Sequence, residues 1–173
     1  MAKTIKIPLS VEGFQKAIDA IKKYRADIKA KTEKLAKRIA SEIQQEALSR
    51  FAQSVCDDIV NSGPRPASVS VSIEPGDGVV LVIANGEDAV WCEFGAGVTH
   101  NGSPGQSPHP KGEELGFTIG SYGKGFGARK VWGYYNEDDG LVLTRGTAAT
   151  MPMYNAMKEV ASRVYEIAKE VFA

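Results

Sequence analysis

The chain reads Val131-Trp132-Gly133-Tyr134-Tyr135 and then, after a turn over residues 136–140, Leu141-Val142-Leu143-Thr144. β-Branched and aromatic residues favour strands, and an acidic turn that ends in glycine separates the two runs. The stretch therefore predicts a β-hairpin, around which the other elements are placed.

More strands are predicted on the N-terminal side of this hairpin. Valine and isoleucine alternate with serine over residues 68–73, which is typical of a half-buried strand. The turn Pro75-Gly76-Asp77-Gly78 leads into the apolar run 79–84, which we expect to be a central strand. The segment Val90-Trp91-Cys92-Glu93-Phe94 predicts one further strand.

Helices are predicted at both ends. Within the helical region 1–62, apolar residues recur at helical spacing, and we interpret residues 11–62 as one very long helix or two helices with a break near residues 24–28. Ser10 is the expected cap, and Gly63-Pro64 the expected stop. Residues 1–9 read as an extended edge segment that precedes this helix. An amphipathic helix is expected over residues 151–172, with Thr150 as its cap.

A long segment rich in glycine and proline separates the predicted strands at residues 67–95 and 130–145. It covers residues 96–129, and unstructured loops longer than about 15 residues are uncommon in compact domains. We expect it to be an extended loop that is disordered in the free subunit and ordered in an assembly. The order of elements predicts a single α+β domain over residues 1–173, with the helices packed on one face of an antiparallel sheet of about five strands.

Composition is that of an ordinary globular domain, with 24% charged residues and a net charge of zero. The balance hides an asymmetry: residues 1–50 hold 12 Lys/Arg against 6 Asp/Glu, and residues 51–173 hold 9 against 15. Opposite poles would help copies dock. The sequence predicts no membrane span, and Cys56 and Cys92 read as buried thiols of a protein assembled in a reducing cytosol.

Residues that could carry chemistry are few. His100 and His109 lack the spacing of zinc ligands, so we interpret them as polar loop residues and predict no metal site. The run 120–127 shares only its glycines with a phosphate loop, since no Ser or Thr follows Lys124 and a strand comes next. The carboxylates of residues 137–139 suit a turn. We therefore predict no catalytic residue and no cofactor.

Two other features suit contact between subunits. On a strand, Glu93 would point away from its neighbours, either into solvent or towards an Arg or Lys of another subunit. The aromatic residues Trp132 and Tyr134 would share one face of their strand and Tyr135 the other, so that one set is free for contact.

Several motifs resemble a known family. Residues 91–97, Trp-Cys-Glu-Phe-Gly-Ala-Gly, are similar to a Val-Glu-Phe-Gly-Thr-Gly signature, and Ser107-Pro108-His109-Pro110 to a Ser-Pro-His-Pro loop. Residues 132–135, the acidic turn and residues 144–146 continue the likeness. Residues 147–154 stand where members read Gln-Pro-Ala-Arg-Pro-Phe-Met-Tyr, with Thr150 in place of the arginine. The family is that of the gene-ten-like neck proteins of long-tailed bacteriophages, also described as head–tail connector, minor capsid or tail-completion proteins.

The resemblance implies a non-enzymatic virion protein that is assembled in the host bacterial cytoplasm and forms a ring at the phage neck. The ring would hold on the order of six or twelve copies, joining the head-closure or adaptor proteins on the capsid side to the tail terminator or tail tube. DNA would pass through its channel without sequence-specific binding. Subunit-interface candidates are Glu93, Phe94, His109, Tyr122, Phe126, Arg129, Trp132, Tyr135 and Arg145.

Alternatives stay open at this point. A tail-terminator ring of the same phage shares the expected properties. A small hydrolase or nucleotide-binding enzyme would use the Gly-rich segment, and a DNA-binding module would use the basic N-terminal helix, although its lysines are scattered and lack interleaved aromatic residues.

Overall fold

The computed structural model describes residues 8–76, 78–122, 124–137 and 140–173. The elements described there are, in chain order, α1 (Val11–Gln53), β1 (Val55–Ile59), β2 (Gly63–Pro66), β3 (Ser70–Pro75), β4 (Val80–Asn85), α2 (Glu87–Phe94), α3 (Val98–Asn101), β5 (Trp132–Asn136), β6 (Gly140–Thr144) and α4 (Pro152–Phe172). The predicted α+β class is confirmed. The extended segment predicted over residues 1–9 lies outside the described residues except for its last two. Four residues assigned to loops and turns, Asp77, Gly123, Asp138 and Asp139, also lie outside them.

The N-terminal helical region is one unbroken helix. α1 has 43 residues and a length of about 65 Å. Its predicted cap is confirmed, because the Ser10 side chain accepts a hydrogen bond from Gly13 N–H at 3.0 Å. The predicted end near residue 62 is wrong: α1 stops at Gln53, and the β-branched Val55 and Ile59 lie in a strand that pairs with β2.

The described strands form two sheets and not the single sheet that we predicted. One is antiparallel with the order β2-β1-β6-β5, and the other is the β3–β4 hairpin. Two strands of the larger sheet were not predicted: β1 lies where we expect the end of the helix, and β2 lies where we expect its stop. The apolar strand β4 pairs with β3 alone among the described strands, so its predicted central position is wrong.

The segment predicted as a strand at residues 90–94 is helix α2. Gly86, with a φ of 134°, makes the turn into it, and the carboxylates of Glu87 and Asp88 in its first turn favour a helix N-terminus. Ala89 and Cys92 are three residues apart and are both buried, which is the spacing of one helix face. A short apolar run fits both the two-residue repeat of a strand and the 3.6-residue repeat of a helix. The burial of residues on one helix face shows that this run is helical.

Helix α4 lies antiparallel along the C-terminal half of α1. The Ser54 and Thr150 hydroxyls are 2.8 Å apart at one end, and Lys31 Nζ donates to the Phe172 carbonyl at 3.3 Å at the other. Of the apolar face predicted for α4, Val160 and Ile167 are buried, whereas Met157 and Val164 are 48% and 40% exposed. The N-terminal part of α1 extends beyond α4.

The main core lies where α1, the β3–β4 hairpin, α2 and α4 meet. Its buried members are small or medium-sized apart from one phenylalanine: Ala47, Phe51, Cys56, Val71, Ala89, Cys92 and Ala156. Both cysteines are buried and unbridged, as the sequence predicted.

The segment 96–129 packs against this body. It contains the short helix α3 and a series of turns, and Ile119 closes back on Gln106 and Gly105 through backbone hydrogen bonds of 2.8 and 2.9 Å. Ile119 and His109 are buried. The predicted long loop between strands is confirmed, but it is folded back on itself and not extended, because two buried side chains and local hydrogen bonds hold its described residues in place.

Candidate interaction surface

Glu93 lies where three of the motif segments meet, and it links them. Its carboxylate accepts hydrogen bonds from the N–H groups of Met153 and Tyr154 at 2.8 and 2.9 Å. These amides belong to the first turn of α4, whose N-cap residue Met151 provides no side-chain cap. The carboxylate therefore satisfies free amide groups and the positive end of the helix dipole. The predictions that Glu93 lies on a strand and faces outwards are wrong.

His109 is the second buried polar residue at this place. Its Nδ1 accepts a hydrogen bond from Lys111 N–H at 3.1 Å, so the ring proton lies on Nε2, which is 3.2 Å from the Glu93 carboxylate. The imidazole is 6% exposed. It therefore pins the middle of the segment 96–129 to α2 and α4, and our interpretation of it as an ordinary loop residue is wrong.

Aromatic rings cover this polar contact. Phe94 stacks on Phe117 with ring centroids 4.0 Å apart, and it lies 4.6 Å from the imidazole of His109. Tyr154 meets the same imidazole edge-on at 5.2 Å. The rings shield the Glu93–His109 contact from water, which strengthens it.

Backbone pairing completes the contact. Ala96 and Thr147 exchange two hydrogen bonds of 2.8 and 2.9 Å. The Asn101 side chain donates to the Thr147 carbonyl at 2.7 Å and accepts from Ala149 N–H at 2.8 Å. Motif segments far apart in the sequence thus meet in one place. We name Glu93, Ala96, Asn101, His109 and Thr147, with the first turn of α4, the motif junction.

Arg145, an interface candidate, takes part in a smaller polar cluster beside the motif junction. Its guanidinium is 3.2 Å from the Asp58 carboxylate, whose other oxygen is 3.1 Å from His100 Nε2. Arg145 is half-buried, so its contacts within the chain leave only part of the side chain for a neighbour.

An ion pair joins β2 to α2, in which the carboxylate of Asp88 is buried and the guanidinium of Arg65 is exposed. Arg65 binds both oxygens of Asp88, at 2.7 and 2.8 Å, and Ser68 N–H and the Cys56 thiol donate to the same carboxylate. Burial alone would raise the pKa of Asp88, but these hydrogen bonds outweigh it and hold the pKa below its usual value. The hydrogen bond with Cys56, followed by burial, raises the pKa of the Cys92 thiol, which keeps this sulfur in its less nucleophilic form.

A cleft of about 530 Å³ opens next to this ion pair. Inside it the Tyr134 hydroxyl donates to the Asp57 carboxylate. This hydrogen bond, followed by burial, raises the pKa of Tyr134 to about 12. Asp57 has a φ of 51°, in the left-handed region, and its N–H donates to Thr147 at 3.0 Å. The rim carries acidic and aromatic residues, among them Glu87, Tyr135 and Glu137.

Most of the other interface candidates are exposed. Tyr135 is 83% exposed, Phe126 76%, Tyr122 54% and Trp132 40%, and Arg129 is also exposed. Tyr122 meets Trp91 edge-on, whereas Trp132 leans on Tyr134. The structure therefore brings only Glu93, Phe94 and His109 of the candidates into one contact, and the rest lie on several surfaces.

The outer face of the β5–β6 hairpin is apolar and uncovered. Cross-strand pairing places Tyr135 opposite Leu141, and Gly133 opposite Leu143. Leu141 and Leu143 are 56% and 45% exposed, and both lie over Gly133, which has no side chain of its own. β5 is also an edge strand of its sheet. We name Gly133, Tyr135, Leu141 and Leu143 the sheet face.

A second uncovered apolar surface lies on the projecting part of α1. Phe14, Ile18, Ile21 and Ile28 fall at spacings of three, four and seven residues, so they share one side of the helix. They are 52%, 46%, 56% and 37% exposed. We name these four residues the helix face.

Sequence reasoning missed the polar residues of β1 and β2. Asp57 and Asp58 fall within the predicted helix, and the sequence pattern gives Arg65 and Asp88 no role in a site. The available signal was the pair of acids between the β-branched Val55 and Ile59, which the longer helical pattern hid. For His109 the only signal was its position in the proline-flanked motif.

Within the described ranges, no helix is both long and apolar enough to cross a membrane, and no group of three or more His, Cys, Asp or Glu residues could hold a metal ion. No protein-family model matches the chain, and no curated protein or solved structure was found to be similar to it.

Proposed function

We propose that this protein is a structural subunit of a tailed bacteriophage particle, forming an oligomeric ring at the neck that joins the capsid to the tail. In this role it performs no chemistry. It contacts head-closure proteins on one side and tail components on the other, and DNA passes through the ring without base-specific contacts.

The motif junction is the observation that carries the proposal. The motifs that resemble neck proteins meet there, and their polar groups are used in contacts within the chain: Glu93 caps α4, His109 fastens the segment 96–129, and Asn101 braces Thr147. A buried carboxylate and imidazole paired with each other and covered by aromatic rings serve as a scaffold. They leave no free acid–base pair for a substrate.

The uncovered surfaces give further support. A subunit that works alone rarely exposes large contiguous apolar patches, whereas a subunit of an assembly covers them with its neighbours. This chain has the sheet face at one place and the helix face at another, and the charge surplus has opposite signs in residues 1–50 and 51–173.

The test is the position of the subunit in particles of a phage that encodes it. Antibody-gold labelling should mark the boundary between capsid and tail, and removal of the gene should give separate heads and tails. Label on free tails would instead favour the tail-terminator alternative. Particles that lack the subunit altogether, with assembly unaffected by its removal, would contradict the proposal.

A further inference from the structure

The helix face and the sheet face are both apolar, but their charged surroundings differ. Residues 11–38 of α1 carry nine Lys/Arg against four Asp/Glu. Lys22 and Arg25 flank or interrupt the helix face, both are exposed, and neither forms an ion pair with the described residues. Beside the sheet face, the exposed Glu137 directly follows the end of β5, and residues 51–173 hold 15 Asp/Glu against 9 Lys/Arg. The two surfaces are therefore complementary in charge and alike in apolarity.

Their dimensions also agree. The helix face from Phe14 to Ile28 extends over about 21 Å, and strand β5 over about 17 Å. Leu141 and Leu143 close over Gly133, so the sheet face presents a continuous apolar surface to the ridge of a helix.

We infer that the helix face of one copy docks on the sheet face of the next copy. The inference rests on the proposed function only in that a ring uses such a contact. Two different patches make a heterologous contact, which leaves one unused patch on each partner and so propagates until the ring closes. Pairing of two helix faces is disfavoured, because it would bring the basic surfaces of two α1 helices together.

The exposed Lys22 and Arg25 beside the helix face help to orient the two copies in this contact. Arg25 lies between Ile21 and Ile28 on the same side of the helix, so docking on the sheet face places it near Glu137 of the neighbour. Rim charges of this kind steer association and weaken with salt. The contact therefore forms faster at low ionic strength.

The experiment uses two variants of the full chain. The helix-face variant carries Ile18→Asp and Ile21→Asp, and the sheet-face variant carries Tyr135→Thr and Leu141→Thr. Sedimentation velocity should show that each is monomeric at concentrations about tenfold above those at which the unaltered protein assembles. Leu115→Asp, at a residue that is 53% exposed and outside both faces, is the matched control and should assemble normally.

Mixing the two variants gives the decisive result. The intact sheet face of the first variant meets the intact helix face of the second, so a one-to-one mixture should form complexes of two copies and no larger. A mixture that stays monomeric would overturn the inference, as would a helix-face variant that assembles normally. Loss of the folded circular-dichroism spectrum in the helix-face variant would also overturn the inference, because the helix face would then be packed within its own chain.

The outcome is separable from that of the proposed function. If the two variants form complexes when they are mixed but phage particles lack the subunit, the contact between copies is supported and the proposed neck function is rejected. Labelling at the neck, together with normal assembly of the helix-face variant, would do the reverse.

Discussion

The carboxylate of Glu93 replaces the missing side-chain cap of α4 and orients His109 at the same time. Hydrogen bonds to a charged group at a helix N-terminus are stronger than those between neutral groups. A single residue of α2 thus holds both the start of the last helix and the middle of the segment 96–129.

Replacement of Glu93 by glutamine should lower the free energy of unfolding by about 1–3 kcal/mol, since the amide keeps the shape but loses the charge that faces the helix dipole. Urea denaturation followed by circular dichroism measures the change. Glu114→Gln, at an exposed carboxylate of the segment 96–129, is the control and should change the value by less than about 0.5 kcal/mol. Equal effects of the two substitutions would contradict the role of Glu93.

The carboxylate of Asp88 makes the free energy of unfolding depend on pH in the acidic range. Its pKa in the folded protein lies below the value of about 3.9 expected in the unfolded chain. The unfolded state therefore binds more protons between these two values, and the stabilisation present above pH 4 or so is lost as the pH falls through the folded pKa.

Urea midpoints measured from about pH 6 down to pH 3 should therefore fall in the unaltered protein and fall less steeply in Asp88→Asn. That variant should be less stable throughout, because Arg65 loses its partner. Parallel pH profiles for the two proteins would show that the Arg65–Asp88 pair does not carry this dependence.

At the level of elements, the connection after β6 has no room for a side chain at Gly146. Gly146 has a φ of 96°, and a Cβ there would lie 2.0 Å from the Ala96 carbonyl oxygen, inside the backbone pairing of the motif junction. Gly146→Ala should cost about 2–4 kcal/mol. Gly105 has a similar φ of 81° with open space around it, so Gly105→Ala should cost only about 1–2 kcal/mol. Thermal melts of both variants compare the two, and equal shifts would contradict the close approach at Gly146.

Strand β5 lies at an edge, and its largest residue is only partly covered. Trp132 is 40% exposed and rests on Tyr134. Trp132→Ala should therefore cost about 1–2.5 kcal/mol, below the 3–5 kcal/mol or so expected for a fully buried ring. Denaturant melts of the isolated protein measure it, with Phe126→Ala as an exposed aromatic control. A loss at the upper value would mean that the ring is part of the core.

The elements that the sequence predicted well are those with a long or unambiguous period. The β5–β6 hairpin and α4 were found because their patterns extend over whole elements. α2 was mistaken for a strand because five residues fit either period, and only the burial of Ala89 and Cys92 on one helix face decides it. β1 is not predicted from the sequence, because the preference of Val55 and Ile59 for strands is a weaker signal than the long helical pattern that precedes them.

The candidate site was less predictable for a physical reason. The role of Glu93 depends on the amides of Met153 and Tyr154, about sixty positions further along the chain. A contact of that separation leaves no local pattern. Exposure was easier to anticipate, since the alternation of β5 correctly placed Tyr135 on the face opposite Trp132.

For the whole molecule, the segment 96–129 behaves as part of the body. Phe117 N–H donates to Gly112 at 2.7 Å, and Ile119 N–H donates to Gln106 at 2.8 Å. Amide exchange at these two positions should be slow in the monomeric protein and should accelerate in Glu93→Gln, because His109 loses its anchor. The amide of Lys124, which is exposed and at the far end of the segment, is the internal reference. Fast exchange at both positions in the monomer would instead support the expectation that the segment 96–129 is disordered in the free subunit.

The pairing of α1 with α4 also bears on how the protein is made. Residues 31–53 of α1 leave the ribosome before any other described element, yet the helix that covers them is translated after all the others. Until α4 emerges from the exit tunnel, the apolar side of the nascent α1 lacks its partner and is a natural binding site for holdase chaperones. The core between α1 and α4 can therefore form only after α4 has been translated.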